Sequence, residues 1–359
     1  MKIDGKAYRT IWRAGPAAVE TIDQTRLPHE LAFRRLDSLE SAVEAIKTMV
    51  VRGAPLIGAT AAYGLALALS KAGDDASLAS AYGALDASRP TAVNLRHALD
   101  DVRAIVAPLP ASARGEAAFR RADEICEEDV KLNLAIGEAG YKLIEAAHKA
   151  TGRPVNVLTH CNAGWLACVD WGTATAPIYL AHDRGVPVHV YVDETRPRNQ
   201  GASLTAFELG QHGVPFTLIA DNAGGHLMQH GKVDLCIVGA DRVTARGDAA
   251  NKIGTYLKAL AARANGVPFY VAAPGTTFDW RLDDGRDIEI EERSAREVTH
   301  IWGRLADGQV AEVEIAPPGT RAANPAFDVT PAELVSGLLT ERGLCPADKP
   351  ALAALYGRG

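Results

Sequence analysis

Short apolar runs alternate with helix-like segments through the second half of the chain. The runs are rich in Val, Ile, Leu and aromatic residues, and they are about 5–7 residues long and about 20–30 residues apart. They lie at 155–159, 186–192, 216–220, 235–239 and 269–273. Helical segments lie between them, at 163–181, 204–212 and 253–265. Strands that alternate with helices form right-handed βαβ units, so the pattern predicts a Rossmann-like α/β domain with a parallel sheet.

The tripeptide Gly-Val-Pro marks the junctions of this pattern. It occurs at 185–187, 213–215 and 266–268, each time after a helical segment. Glycine suits the left-handed position that ends a helix, and proline prevents helical continuation while permitting the first residue of a strand. The repeated junction supports the α/β prediction.

Helical patterns dominate the N-terminal third, and few runs there resemble strands. The predicted helices lie at 39–50, 54–72 and 91–104. A long amphipathic segment without proline, 112–149, is expected to connect two domains as one or two helices. We therefore predict a mostly helical N-terminal domain over 1–125 and a Rossmann-like α/β catalytic domain over 126–359. Within the latter, 278–296 and 316–326 are predicted as surface segments before a last helix at 331–341.

Composition and charge narrow the functional classes. Hydrophobic residues make up 47% of the 359 residues and charged residues 23%, which is typical of a globular protein. Lys+Arg number 38 against 44 Asp+Glu, and a net charge of −6 does not fit a nucleic-acid-binding surface. The most apolar stretch, 56–69, is interrupted by glycines and is shorter than the roughly 20 residues of a membrane helix. It predicts a buried helix, and no membrane partner is expected.

The N-terminus and the cysteines bear on location and cofactors. Residues 1–13 lack an apolar block or a small-residue cleavage site, so a cytoplasmic protein without a secretory signal is predicted. The five cysteines include no Cys-x-x-Cys pair, which fits neither a disulfide framework nor a zinc ribbon. We expect no metal and no nucleotide cofactor, because metal-ligand spacing, Gly-x-Gly-x-x-Gly and Walker motifs are all missing from the sequence.

Polar residues follow the predicted strands, where an open parallel sheet binds its ligand. They lie at 159–164, 193–201, 221–222 and 239–242. Cys161 has two interpretations here: a thiol activated by the N-terminus of a following helix, or a small buried filler. Filler is the preferred interpretation for the remaining cysteines, which are Cys126, Cys168, Cys236 and Cys345.

Asp241 is a candidate acid because it follows the apolar run 235–240. Partial burial there raises a carboxyl pKa and keeps the group able to donate a proton. Its alternative roles are a helix cap and a partner for Arg242. His160 precedes Cys161, but adjacent strand residues point to opposite faces, which favours a structural histidine.

Three cationic residues are candidates for binding an anion. Arg52 precedes Gly53, Ala54 and a proline, so the free amides of a helix N-terminus are expected beside it. Arg89 and Lys252 stand in Arg-Pro-Thr and Asn-Lys-Ile-Gly strings. A solvated surface residue is the alternative for each.

Several long strings carry a resemblance that covers nearly the whole chain. They are YRTIW from Tyr8, DQTRLP from Asp23, RGAPLIGATAAYG from Arg52, RPTAVNL from Arg89, THCNAG from Thr159, DETRPRNQGASLTAFEL from Asp193, DNAGGHLM from Asp221, GADRVTARGDAANKIGTY from Gly239 and NPAFDVTP from Asn324. In these strings the chain resembles the methylthioribose-1-phosphate isomerase family, which is related to regulatory subunits of the eukaryotic initiation factor that exchanges guanine nucleotide. Departures occur at Arg96-His97 and Gly224-Gly225.

The resemblance implies that Cys161 and Asp241 are the catalytic pair, and the presence of both favours the enzyme over the regulatory subunits. It also implies a homodimer. The substrate-binding residues that it implies are Arg52, Gly53, Ala54, Arg89, Gln200, Asn251 and Lys252.

The implied reaction is the aldose–ketose isomerisation of 5-methylthioribose 1-phosphate in methionine salvage. Phosphate on the anomeric carbon locks the sugar ring, so Asp241 would protonate the ring oxygen and a Cys161 thiolate would remove the C2 proton to give a phosphoenolate. A direct hydride shift from C2 to C1 is the alternative path. Alternative functions are isomerisation of 5-deoxyribose 1-phosphate or ribose 1,5-bisphosphate, and a non-catalytic regulatory subunit that binds a sugar phosphate or nucleotide.

Overall fold

The computed structural model describes residues 1–90 and 92–358, and Thr91 and Gly359 lie outside them. The helices are α1 (Leu39–Lys47), α2 (Ala54–Lys71), α3 (Asp75–Asp86), α4 (Val93–Val106), α5 (Ala111–Thr151), α6 (Ala176–Asp183), α7 (Ala206–His212), α8 (Ala223–Gln229), α9 (Thr255–Ala264), α10 (Arg296–Thr299) and α11 (Lys349–Tyr356). The strands are β1 (Lys2–Ile3), β2 (Lys6–Ala7), β3 (Ile11–Gly15), β4 (Ala18–Ile22), β5 (Phe33–Leu36), β6 (Val155–Thr159), β7 (Val188–Asp193), β8 (Phe216–Ile219), β9 (Leu235–Gly239), β10 (Arg242–Thr244), β11 (Ala249–Lys252), β12 (Phe269–Ala272), β13 (Phe278–Asp279), β14 (His300–Arg304), β15 (Val310–Glu314), β16 (Phe327–Thr330), β17 (Gly337–Thr340) and β18 (Gly343–Cys345).

A seven-stranded sheet forms the centre of the C-terminal part. Its strand order is β18-β17-β12-β9-β6-β7-β8, and all its pairs are parallel except β17–β18. Counted along the chain from β6, the parallel strands lie in the order 3-2-1-4-5-6 from the β8 edge, which is the Rossmann order. The predicted fold class is confirmed, and the five apolar runs correspond to β6, β7, β8, β9 and β12.

Apolar side chains pack against both faces of this sheet. Val157 and Val190 belong to a buried cluster with Ile178 of α6 on one face. Val238 belongs to a second cluster with Ala259 of α9 on the other face. Strands that are buried on both sides need apolar residues at successive positions, which is why these strands appeared in the sequence as continuous apolar runs.

The N-terminal helices pack around α2, which is buried on nearly every side. It contributes Leu56, Leu65 and Leu69 to the apolar core of these helices, which is separate from the two clusters on the sheet. The prediction of a buried helix at 56–69 is therefore confirmed. Along the described residues, none of the helices combines the length and the apolar character that a membrane crossing requires. The predicted helix at 91–104 corresponds to α4, although its first residue lies outside the described residues.

Helix α5 runs without interruption across residue 125, the predicted domain boundary. Its first half places Ala118 and Phe119 in the core of the N-terminal helices. Its second half places Ile136 and Ile144 against the seven-stranded sheet. One helix thus contributes to both cores, and the division into 1–125 and 126–359 stays a prediction.

The predicted helix at 163–181 is wrong over about its first two thirds, since α6 begins only at Ala176. A 3₁₀ turn occupies Trp165–Ala167, and only the later residues form α6. The Leu166 N–H donates to Glu208 Oε1 at 2.7 Å, and the Val169 N–H donates to Asp129 Oδ2 at 2.7 Å. Buried carboxylates here replace the carbonyl acceptors of a helix.

Two further local predictions are wrong. The segment 331–341 forms a 3₁₀ turn and β17 rather than a helix. Leu338 and Leu339 are both fully buried, and two adjacent apolar residues have no periodicity that distinguishes a strand from a helix. The N-terminal part also contains the antiparallel sheet β3-β4-β5, which was not predicted. Its strands are short and carry charged residues such as Arg34, which concealed their alternation.

Candidate active site

Cys161 and Asp241 follow neighbouring strands at the point where the order of the sheet reverses. Strand β6 ends at Thr159 and β9 ends at Gly239, and the two strands pair in parallel. An open α/β sheet binds ligands in the crevice at such a reversal, because the connections on its two sides leave toward opposite faces. The two candidate residues therefore lie at the same crevice.

The backbone of Cys161 has a left-handed conformation, with a φ of 67° that is uncommon for a residue with a side chain. Its N–H donates to Thr195 Oγ1 at 2.8 Å, and its carbonyl accepts from the Thr205 hydroxyl at 2.7 Å. Thr195 lies in the loop after β7, and Thr205 ends the π-helical turn Gly201–Thr205. Two segments thus fix the backbone of Cys161, and strained conformations of this kind concentrate at functional sites.

The Cys161 thiol is buried among charged groups. Burial raises its pKa above the ordinary thiol value, Arg52 and Lys252 lower the pKa, and Asp241 raises it further. The expectation that a helix N-terminus lowers this pKa is wrong, because a 3₁₀ turn follows Cys161 and α6 begins only at Ala176. The cationic side chains, together with a hydrogen bond from the Asn162 backbone, are what favour the thiolate here.

Lys252 is a buried cation at the end of β11. Its Nζ donates to the Ala326 carbonyl at 2.9 Å and lies 4.2 Å from the centroid of the Phe327 ring. Burial lowers the pKa of this amine to about 8, although Cys161 and Asp241 raise it. The charge of Lys252 therefore changes within the range of pH in which enzymes are assayed.

Two arginines complete a group of cations. Arg89 lies 3.9 Å from Glu291, and burial lowers its pKa while Asp241 and Glu291 raise it. Arg293 pairs with Glu297, to which its Nη2 donates at 2.6 Å, and it lies 4.0 Å from Glu291. Its charge lowers the pKa values of both Lys252 and Arg89. The cations of the site are thus Arg52, Arg89, Lys252 and Arg293. Such a concentration of positive charge suits a phosphate group.

Arg89 and Asp241 line one pocket whose other walls are mainly apolar. The apolar lining is formed by Ala54, Ile57, Ala92, Ala250, Ile288, Ile290 and Phe327. The prediction that 278–296 is a surface segment is therefore wrong at Ile288 and Ile290, which line this pocket. The alternation of these isoleucines with charged residues was the available signal, because it indicates one apolar face.

Arg52 is oriented by the residue that follows Cys161. Its Nη1 donates to Asn162 Oδ1 at 2.6 Å, and its Nη2 donates to the Asn162 carbonyl at 2.8 Å. Gly53, with a φ of 90°, directly precedes α2, and Ala54 at the start of that helix lines the pocket. The free amides of a helix N-terminus thus open onto the site.

The described contacts do not join Gln200 or Asn251 to the pair of Cys161 and Asp241. Gln200 is buried, and its Oε1 has no hydrogen-bond partner among the described residues. Asn251 is also buried, and its amide donates to Thr255 Oγ1 at 3.1 Å. The other predicted site residues border the pocket or act on its charged groups.

His160 directly follows β6, and it is buried and hydrogen-bonded, as expected of a structural histidine. Its Nδ1 lies 2.8 Å from Asp193 Oδ2, and its Nε2 lies 2.8 Å from the Ile253 carbonyl. His160, Asp193 and Asp221 bring possible metal-ligand atoms within 4.8 Å of one another. However, the Lys258 ammonium lies 3.2 Å from Asp193 Oδ2 and also donates to the Asp221 carbonyl. A lysine already supplies the positive charge of this cluster, which does not suit a divalent ion.

All five cysteines are free and buried, so burial alone does not distinguish them. Cys126, Cys236 and Cys345 belong to apolar clusters, and Cys168 donates to Asn133 Oδ1 at 3.4 Å. Only Cys161 among them combines the end of a sheet strand with neighbouring cations.

The sheet and the crevice together define a Rossmann-type α/β protein with an anion-binding site that contains a thiol and a carboxyl group. Residues 50–347 match the Initiation factor 2 subunit family. The chain belongs to this family.

Close relatives in this family include named enzymes. The chain is 63% identical over 358 residues to the methylthioribose-1-phosphate isomerase of Methylorubrum populi, covering 99% of this chain and 98% of the relative. It is 62% identical to the enzyme of that name from Paramagnetospirillum magneticum, with 99% of each chain covered. The crystal structure of 5-methylthioribose 1-phosphate isomerase from Pyrococcus horikoshii matches with a TM-score of 0.85 and 40% identity, covering 99% and 97%. The translation initiation factor eIF-2B subunit delta from A. fulgidus matches with a TM-score of 0.80 and 38% identity, covering 98% and 100%.

Proposed function

We propose that this protein is an aldose–ketose isomerase that converts 5-methylthioribose 1-phosphate to 5-methylthioribulose 1-phosphate in methionine salvage. The observation that carries the proposal is the pocket in which Asp241 and Arg89 adjoin an apolar wall. A phosphate group requires cations, an apolar methylthio group requires a wall such as Ile57 and Phe327, and ring opening requires an acid. The isomerases that are 63% and 62% identical to nearly the whole chain support the same reaction.

Asp241 acts as the general acid in this mechanism. Phosphate on C1 prevents opening of the sugar to a free aldehyde, so the bond between C1 and the ring oxygen must break with the phosphate in place. A carboxyl group that protonates the ring oxygen makes this oxygen a better leaving group. The position of Asp241 in the pocket beside Arg89 supports this role.

Cys161 acts as the general base. Its thiolate removes the proton from C2 to give an enol phosphate, and the C2 hydroxyl passes its proton to the Asp241 carboxylate so that a phosphoenolate forms. The proton held by Cys161 then returns to C1 to give the ketose. The support is the electrostatic surroundings of the thiol, where Arg52 and Lys252 oppose the effect of burial on its pKa. In the alternative path, hydride moves directly from C2 to C1 and the C2 hydroxyl gives its proton to the Asp241 carboxylate, so no base acts on C2.

The cations and the adjoining helix hold the phosphate. Arg52, Arg89 and Lys252 supply charge, and the amides of Gly53 and Ala54 supply hydrogen-bond donors. Gln200 and Asn251 bind the hydroxyl groups of the sugar. The buried Gln200 Oε1, which lacks a partner among the described residues, supports a ligand in that position. The mechanism uses no metal or nucleotide cofactor.

We also propose a cytoplasmic homodimer. The unpaired cysteines support a reducing compartment. In the C-terminal domain, α9 exposes Leu257 by 60% and Leu260 by 39%, which supports an association surface there. Sedimentation that reveals an active monomer at assay concentration would exclude the dimer.

The function is tested with purified protein and synthetic 5-methylthioribose 1-phosphate, with formation of the ketose followed by NMR after removal of metals by a chelator. We expect turnover that Cys161→Ala reduces strongly. Parallel assays with 5-deoxyribose 1-phosphate and ribose 1,5-bisphosphate establish the preferred substrate. Binding of the sugar phosphate without turnover by the wild-type protein would contradict the isomerase and support a regulatory subunit.

A further inference from the structure

A chain of hydrogen bonds connects Arg52 to the buried carboxylate of Glu208 on α7. The side-chain amide of Asn162 accepts from Arg52 through Oδ1 at 2.6 Å and donates through Nδ2 to Glu208 Oε1 at 3.0 Å. Because an amide has its acceptor on one side and its donors on the other, both partners determine its orientation. Glu208 therefore acts on Arg52 without touching it.

The carboxylate of Glu208 is itself tightly constrained. Its Oε1 also accepts from the Leu166 N–H at 2.7 Å, and its Oε2 accepts from the Tyr179 hydroxyl at 3.2 Å. Burial raises the pKa of Glu208 to about 7, while the bonds from Asn162, Leu166 and Tyr179 lower it. A buried carboxylate costs more free energy than a well-packed apolar side chain of similar volume, so its presence here suggests a role beyond packing.

The loop after Cys161 is shaped around this carboxylate. A methyl group added at Gly164 would overlap the carboxylate of Glu208. The φ of Gly164 is −90°, which other residues adopt freely, so the requirement for glycine is steric. The Asn162 amide also donates to Thr205 Oγ1 at 3.2 Å, and this hydroxyl holds the Cys161 carbonyl. One network thus reaches the proposed base and the proposed phosphate ligand.

We propose that Glu208 is a positioning residue that orients the Asn162 amide and thereby holds the Arg52 guanidinium toward the phosphate of the substrate. This inference rests on the proposed function. Because Arg52 binds the phosphate in both the ground state and the transition state, its misorientation weakens binding more than it slows the chemical step. The loss of Glu208 is therefore expected to raise KM more than it lowers kcat.

The test compares Glu208→Met, which keeps the length of the side chain but removes its acceptors, with the conservative Glu208→Gln. We expect Glu208→Met to raise KM for 5-methylthioribose 1-phosphate about tenfold while kcat stays within about threefold. Glu208→Gln restores a KM close to that of the wild type. Its carbonyl oxygen accepts from Asn162 and Leu166, and the Tyr179 hydroxyl turns to accept from its NH₂ group.

Two further comparisons separate positioning from a general loss of stability. In an Arg52→Ala background, Glu208→Met causes no further rise in KM, because its effect passes through Arg52. Asp129→Leu is the matched control, since Asp129 is also a buried acid whose pKa burial raises to about 7. Its carboxylate accepts from the Val169 N–H and from the side chain of Asn133, and neither bond leads to Arg52, so its loss reduces the melting temperature without changing KM.

Gly164→Ala provides a second test if Glu208→Met does not fold, because it displaces the carboxylate while every polar group remains. It is expected to raise KM in the same way. Unchanged KM values in the folded variants, independent effects of Glu208→Met and Arg52→Ala, or an equal rise in KM for Asp129→Leu would overturn the positioning role. Wild-type protein that does not turn over the sugar phosphate would instead refute the proposed function.

Discussion

Lys252 is predicted to make phosphate binding depend on pH. Burial lowers the pKa of its amine from the ordinary 10.5 to about 8, so the positive charge is lost as the pH rises through that value. At 1.5 pH units above the pKa, about 3% of the amine remains charged. If only the ammonium form binds the phosphate, affinity at pH 9.5 falls about 30-fold, or about 2 kcal/mol.

Calorimetric titration of Cys161→Ala protein with 5-methylthioribose 1-phosphate measures this effect directly. The substitution slows turnover strongly and removes the thiol. Because Cys161 raises the pKa of Lys252, the amine loses its proton at a lower pH in this variant than in the wild type. We expect Kd to rise above about pH 8. The rise approaches tenfold per pH unit once most of the amine has lost its proton. In the double variant with Lys252→Arg, Kd stays constant to pH 10 because a guanidinium remains charged. A constant Kd in the Lys252 protein, or the same slope with arginine, would refute the reasoning.

Two further predictions concern individual side chains. Cys161→Ala and Asp241→Asn each reduce kcat about 10²–10⁴-fold with substrate binding largely retained, because each removes a proton-transfer step. Turnover by folded Cys161→Ala protein at a rate near that of the wild type would favour the hydride shift. Arg293→Ala raises KM because it removes one of the cations of the site, and steady-state kinetics with an unchanged KM would contradict its contribution to phosphate binding.

The parts of the fold that could be predicted from the sequence are those whose burial is uniform. Strands β6 and β9 are covered on both faces, so their apolar runs are visible without structural context. The polar residues that follow these strands stand out against the apolar runs, and this contrast identified Cys161 and Asp241 as candidates. Strand β17 was predicted as a helix because the fully buried pair Leu338 and Leu339 fits either structure.

Residues that become functional only through distant contacts could not be predicted. Glu208 lies in a helix-like string and resembles a solvated surface residue until α7 packs against the loop that contains Asn162. Arg293 lies in a highly charged segment, and only the folded chain brings its charge close enough to act on Lys252. A local pattern carries no information about such partners, because they are separated from these residues by many positions in the chain.

The surroundings of Cys161 relate substrate binding to the strength of the base. Burial raises the thiol pKa, and a thiolate with a higher pKa is a stronger base toward the C2 proton. Arg52 and Lys252 offset part of this effect, so the thiolate forms more readily but becomes a weaker base. In the proposed complex, the phosphate of the substrate neutralises these two cations and thereby restores the basicity of the thiolate. The cations that we assign to phosphate binding therefore also couple the charge of the substrate to the reactivity of the thiol.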